Sequence, residues 1–182
     1  MRLLGIVGGA ATLAASLTLA TPAHADPQGH VALRAAPCGV GSGGKLWQET
    51  RFCGGLTGDL LFLRNRNTDL GLGPYLEVNT AGFWDARFGG GLSLLVPVME
   101  SYPLVISVGA YDHELRAASL GGTLFWGARS YNFDSAYNYA LGIYASAYRD
   151  LDSERATLIS VGVEIDGFFV LAPFIFAFQA LK

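Results

Sequence analysis

His113 has the greatest chemical potential in this 182-residue sequence, because it stands between Asp112 and Glu114 and precedes Ser119 by six residues. A histidine, a hydroxyl and a carboxylate can form a nucleophilic triad when the histidine lies within hydrogen-bonding reach of the nucleophile. The sequence has no G-x-S-x-G nucleophile elbow. We therefore expect His113 to be a solvated turn residue, and we predict no catalytic residues.

Cys38 and Cys53 are the second feature with possible chemistry, and they are the only cysteines. In an exported chain an even pair predicts one disulfide, which would close the glycine-rich stretch 39–44. A structural zinc site needs four ligands, and no histidine neighbours the two thiols. The sequence therefore predicts a disulfide, with no metal site and no cofactor.

The first 25 residues have the features of a secretory signal peptide. Arg2 supplies the positive charge, residues 3–20 are almost all apolar, and Ala23 and Ala25 are small residues at the two cleavage positions. We predict export and cleavage between Ala25 and Asp26; a permanent N-terminal anchor is the alternative. After residue 25 no run of about 18 apolar residues suggests a transmembrane helix.

From residue 54 onward the sequence alternates between apolar and small or polar residues, which is typical of strands. Polar breaks delimit eight such segments, the last of them at residues 168–180; the breaks are residues 64–69, 79–82, 100–103, 112–114, 130–135, 149–155 and 166–167. A solvated sheet face would carry lysines, but Lys45 and Lys182 are the only ones and neither lies in a segment. Glycine, serine and tyrosine on the second face favour a narrow barrel interior.

The sequence thus predicts an all-β, antiparallel up-and-down transmembrane β-barrel of about eight strands with short loops. Residues 54–182 form the barrel, and residues 26–53 form an N-terminal extension or small plug that carries the disulfide loop. The alternative is that residues 30–36 add a further strand, in which case one of the later segments is not a strand. Charged residues are only 15% of the chain and hydrophobic ones 51%, which suits a barrel in lipid. In this architecture, though not in any motif, the chain resembles the small eight-stranded outer-membrane barrels of the OmpA and OmpX type.

Four charged residues fall on the predicted lumen face: Asp59, Glu77, Arg87 and Glu164. Buried charges must be paired, so we expect a lumen network in which Arg87 joins one or more of the carboxylates. An eight-stranded barrel usually fills its interior with side chains. We therefore expect the lumen to be mostly plugged, and a hydrated pore is the alternative.

The expected role is that of a monomeric outer-membrane barrel with a structural or small-solute interaction function. Its partners would be outer-membrane lipid and the barrel assembly machinery. The formal charge of −3 offers no basic surplus for nucleic acid. Two alternatives remain: a secreted soluble barrel that binds a lipophilic ligand, and an outer-membrane lipid-modifying enzyme that uses His113.

Overall fold

The computed structural model describes residues 27–113, 117–130, 139–152, 155–170 and 172–173. Eight strands follow one another along the chain: β1 Gln28–Gly41, β2 Glu49–Leu61, β3 Gly71–Ala81, β4 Asp85–Val96, β5 Leu104–His113, β6 Ala117–Ser130, β7 Tyr139–Asp150 and β8 Thr157–Asp166.

The strands form a closed barrel in which each pairs antiparallel with the next and β8 pairs with β1. In the closing pair Ala32 lies opposite Asp166, and Gly41 lies opposite Thr157. Closure leaves no strand with an unpaired edge. The predicted all-β, antiparallel up-and-down barrel of eight strands is therefore confirmed.

Residues 28–41 form the first strand of the wall, so the predicted N-terminal extension or plug was wrong and the alternative of a strand over residues 30–36 is confirmed. Their side chains alternate as in the other strands: His30, Ala32 and Arg34 are buried, whereas Val31 and Leu33 are exposed. The barrel also includes the start of β2, which begins at Glu49. The predicted start of the barrel at residue 54 was wrong. Eight alternating segments had been counted after this residue, and a barrel with an even number of strands left no place for residues 28–41 as a ninth strand.

Residues 168–180, predicted as the last strand, do not extend the wall where the structure describes them. Residues 167–170 and 172–173 are helical, and β8 ends at Asp166. The Asp166 carboxylate accepts a hydrogen bond from the backbone N–H of Phe168 at 2.7 Å, as an N-cap residue does. As a strand, this segment would be apolar on both faces, whereas the other strands have a polar face that points into the barrel. The predicted signal peptide, residues 1–25, lies outside the described residues.

We call the end of the barrel at which β1, β3, β5 and β7 end the upper rim. The lower rim is the opposite end, where β1 begins and β8 ends. The described connections at the upper rim are residues 42–48, 82–84, 151–152 and 155–156. Those at the lower rim are residues 62–70 and 97–103.

The outward face of the barrel is apolar. Leu76 on β3 is 73% exposed, and Val108 on β5 is 59% exposed. By the alternation of the described strands, Asp112 and Arg149 are the only charged residues that point outward, and both lie at the upper rim. The hydrophobic side chains of these strands therefore cover the outside of the barrel.

Glycines on the inward face make room for tyrosine rings. A Cβ atom at Gly121 would lie 2.4 Å from Cδ1 of Tyr148, and one at Gly109 would lie 2.8 Å from the hydroxyl of Tyr75. Both distances are too short for any side chain. The Tyr148 ring thus requires a glycine at position 121, whereas at Gly109 the nearest atom is the backbone oxygen of Gly90 on the neighbouring strand, at 2.2 Å.

Within the described residues, the structure contains no helix long and apolar enough to cross a membrane.

Candidate functional site

The interior of the barrel holds most of the buried polar groups and is the candidate functional site. Asp59, Glu77, Arg87 and Glu164 all point inward, and each side chain is at most 9% exposed. They do not form one network. The structure divides the ionic contacts of the lumen into a central, a lower and an upper cluster.

The central cluster is built on Arg34 of β1, which lies between two carboxylates. Its Nε atom donates to Oε2 of Glu164 at 2.7 Å, and its Nη1 atom lies 2.9 Å from Oε1 of Glu77. The guanidinium carbon also lies 5.0 Å from the centroid of the Tyr144 ring, within cation–π range. The single positive charge of Arg34 thus lies between two buried carboxylates, one on β3 and one on β8.

Tyrosine hydroxyls supply further hydrogen bonds to Glu77. Tyr148 donates to Oε1 at 2.5 Å, and Tyr111 donates to Oε2 at 3.2 Å. The hydroxyls of Tyr75 and Tyr111 are 2.5 Å apart. Hydrogen bonds to both oxygens stabilise a carboxylate that is removed from water, so strands β3, β5 and β7 are joined across the lumen.

The lower cluster pairs Asp59 of β2 with Arg129 of β6. Nη1 of Arg129 donates to Oδ2 of Asp59 at 3.0 Å, and Nη2 contacts Oδ1, so the pair is bidentate. His30 lies between this carboxylate and that of Asp166, with one ring nitrogen 3.8 Å from each. The lower cluster therefore connects β1, β2, β6 and β8.

Apolar side chains and Arg64 occupy the lower end of the interior. The apolar cluster there consists of Leu61, Leu95, Val105, Phe125 and Ala140. Arg64, in the connection after β2, is 1% exposed and donates to the backbone carbonyl of Asn67 at 3.0 Å. Burial, and after it the positive charge of Arg129, lower the pKa of Arg64 to about 9.

The upper cluster contains Arg87, which was expected to pair with Asp59, Glu77 or Glu164. Its guanidinium instead lies 3.4 Å from Asp85 and 3.5 Å from Asp150. The predicted pairing of Arg87 with those carboxylates was wrong. Arg87 lies near the upper end of β4, whereas Glu77 and Glu164 contact Arg34 deeper in the barrel.

His113 is held by two carboxylates at this rim, so its expected role as a solvated turn residue was wrong. Its Nδ1 atom lies 2.6 Å from Oδ2 of Asp150, and its Nε2 atom lies 2.7 Å from Oδ1 of Asp85. Ser119 donates to the other oxygen of Asp150 at 2.6 Å. The aspartate thus stands between the serine and the histidine, which is not the order of a nucleophile activated by a base.

The disulfide between Cys38 and Cys53 is confirmed. Both residues are fully buried, and they link neighbouring strands β1 and β2 on the inward face near the upper rim. The cross-link therefore braces the wall of the barrel itself, with 15 residues of sequence separation.

Several residues of the site were missed from the sequence: His30, Arg34, Arg129, Asp150 and Asp166. His30 and Arg34 lay in the supposed extension, while the others stood beside or within polar breaks. Their position in the alternating pattern could have identified them. Each lies two positions from a small or polar residue, and residues two apart on a strand point to the same face. Among the described residues, no group of three or more histidine, cysteine, aspartate or glutamate side chains could hold a metal ion.

No protein-family model matches the chain, and no curated protein or solved structure is significantly similar to it.

Proposed function

We propose that this protein is a monomeric transmembrane β-barrel of a bacterial outer membrane with a closed lumen and a structural or interaction role. The observation that carries the proposal is the polarity of the wall, which is apolar outside and ionic inside. A soluble barrel would instead need polar residues on its outside, because its outward residues are in contact with water. Outward apolar bands and polar interiors are the pattern of transmembrane barrels.

The length of the strands supports the same location. Each has 10 to 14 residues, and about 9–11 residues of tilted strand cross a bilayer. Exposed aromatic residues occur at both ends, where interfacial girdles are expected. At the upper rim they are Trp47, Phe52, Phe83 and Trp84, and at the lower rim they are Tyr102, Tyr139, Phe168 and Phe169.

The closed lumen is inferred from the burial of its charged and tyrosine side chains. Arg34, Glu77 and Glu164 are each 8% exposed or less, as are Tyr75 and Tyr148. A water-filled channel past these groups would leave them accessible. We therefore infer a plugged interior whose ion pairs and hydrogen bonds stiffen the wall.

The two alternative functions have less support from the site. A carrier of a lipophilic ligand needs an apolar cavity, whereas the middle of this interior holds charges and hydroxyls. A lipid-modifying enzyme that uses His113 would need its nucleophile beside the imidazole, and Ser119 bonds to Asp150 instead. The proposed function accordingly includes no catalysis.

Export through the signal peptide and insertion by the barrel assembly machinery belong to this proposal. Its test is a gel of washed bacterial membranes from cells that express the full chain, with boiled and unboiled samples compared. We expect the protein in the membrane pellet and a different migration for the unboiled, folded barrel. Recovery in the aqueous periplasmic fraction without detergent would contradict the proposal.

A further inference from the structure

A hollow at the upper rim lies apart from the lumen clusters. It has a volume of about 510 Å³ and opens between the connection after β1 and the connection after β7. Its lining residues come from these two connections and the end of β7: Gly43, Gly44, Arg149, Leu151, Asp152 and Arg155. The hollow therefore stands at the edge of the apolar outward band.

Two arginines give this hollow its charge. Arg34, Arg51, Arg87 and Arg129 all form ion pairs with carboxylates, but no described carboxylate lies within ion-pair distance of Arg149 or Arg155. The one carboxylate in the lining, that of Asp152, accepts the backbone N–H of Arg155 at 2.9 Å. The two guanidinium groups are thus available to an anion.

The glycines provide an open surface opposite these side chains. Gly43 and Gly44 have φ angles of 59° and 88°, which L-residues with side chains rarely adopt. Apart from the glycine itself and its two chain neighbours, no heavy atom lies within 4 Å of the position that a Cβ would take at either residue. A ligand can therefore approach the backbone closely.

We propose that this hollow binds the phosphate group of a membrane lipid. Arginine matches phosphate geometry with paired N–H donors. Arg149 points outward where the apolar band ends, and Leu151 beside it is 61% exposed. A lipid whose phosphate contacts the arginines could therefore lay its acyl chains along the outer wall. The lipid source rests on the proposed function, whereas phosphate recognition itself does not.

The test uses the full mature barrel in micelles of an uncharged detergent, after the gel shift has shown that it is folded. Native mass spectrometry would compare three probes: dioleoyl phosphatidic acid, dioleoylglycerol and inorganic phosphate. We expect the phosphatidic acid to bind and the diacylglycerol, which has the same chains without phosphate, not to bind. Added salt should weaken the binding because exposed charges are screened.

The double variant Arg149→Gln/Arg155→Gln should bind phosphatidic acid about tenfold more weakly, as expected when charge-assisted hydrogen bonds are lost. Arg66→Gln, which removes an exposed arginine at the lower rim, is the matched control and should leave binding unchanged. Equal binding of the two lipids, or binding that the double variant does not weaken, would overturn the site. If inorganic phosphate binds and phosphatidic acid does not, the conclusion that the phosphate belongs to a lipid would be overturned. Failure of the membrane proposal is detected separately, by the gel shift and fractionation.

Discussion

Arg34→Met is expected to lower the free energy of unfolding by about 3–5 kcal/mol, the cost of breaking a buried ion pair by removing one partner. The variant leaves Glu77 and Glu164 buried without the guanidinium that lies between them. Methionine retains much of the apolar length of the side chain, so the loss reports charge more than volume. Denaturant titration of the folded barrel in micelles, followed by its gel shift, measures the effect.

The triple variant Arg34→Met/Glu77→Gln/Glu164→Gln separates charge from packing. It removes all three charges together, and buried networks replaced as a whole are often neutral in stability. We expect it to recover most of the stability that Arg34→Met loses. Arg66→Met, at an exposed site, should change the free energy of unfolding by about 0.5 kcal/mol or less. If Arg34→Met unfolds at the same denaturant concentration as the parent protein, the central cluster does not stabilise the barrel.

The double variant Leu76→Arg/Val108→Arg is expected to abolish stable insertion. An arginine on the lipid face of a barrel at the bilayer midplane costs about 2–4 kcal/mol, and two such sites on different strands should add to about 4–8 kcal/mol. Leu76 and Val108 lie in the middle of β3 and β5 and are both largely exposed. In water the same changes would place charges on the surface at little cost. Membrane fractionation and the gel shift measure the loss.

Leu46→Arg/Leu63→Arg is the matched control for this effect. These leucines are 61% and 58% exposed, similar to Leu76 and Val108, but they lie in the connections at the two rims. Near the interfaces the cost of arginine falls to about 0–1 kcal/mol, so this variant should insert. Equal behaviour of the two double variants would mean that the outward band does not face lipid.

The fold followed from the sequence to a large extent because alternation is a local signal. The parity of Ile159, Val161 and Val163 against Ser160 and Glu164 is visible without any long-range information, and the structure places these two sets on opposite faces. The predicted count of eight strands was reached with one wrong segment. It included the apolar segment after Asp166, whose second face lacks polar residues, and left out residues 28–41, which form β1.

The site was less predictable because its contacts join residues far apart in the chain. Glu77 meets Arg34 and Tyr148, which stand on strands at different positions around the barrel, and sequence order does not show how far each strand is shifted along the axis. Parity could place Arg87 inside, but only the register decides its height. That height puts Arg87 beside Asp150 rather than beside Glu77.

The most direct measurement of the central claim is the quenching of a single tryptophan by brominated lipid. Trp126 points outward on β6 and is 46% exposed, while its neighbour Phe125 points inward and is 2% exposed. In a Trp47→Phe/Trp84→Phe background, the emission of Trp126 should be much weaker in vesicles with bromine at mid-chain than in unbrominated vesicles. With Phe125→Trp and Trp126→Phe added to that background, the inward tryptophan should be quenched far less. Equal emission of Trp126 in both kinds of vesicle would contradict a lipid-facing outer wall.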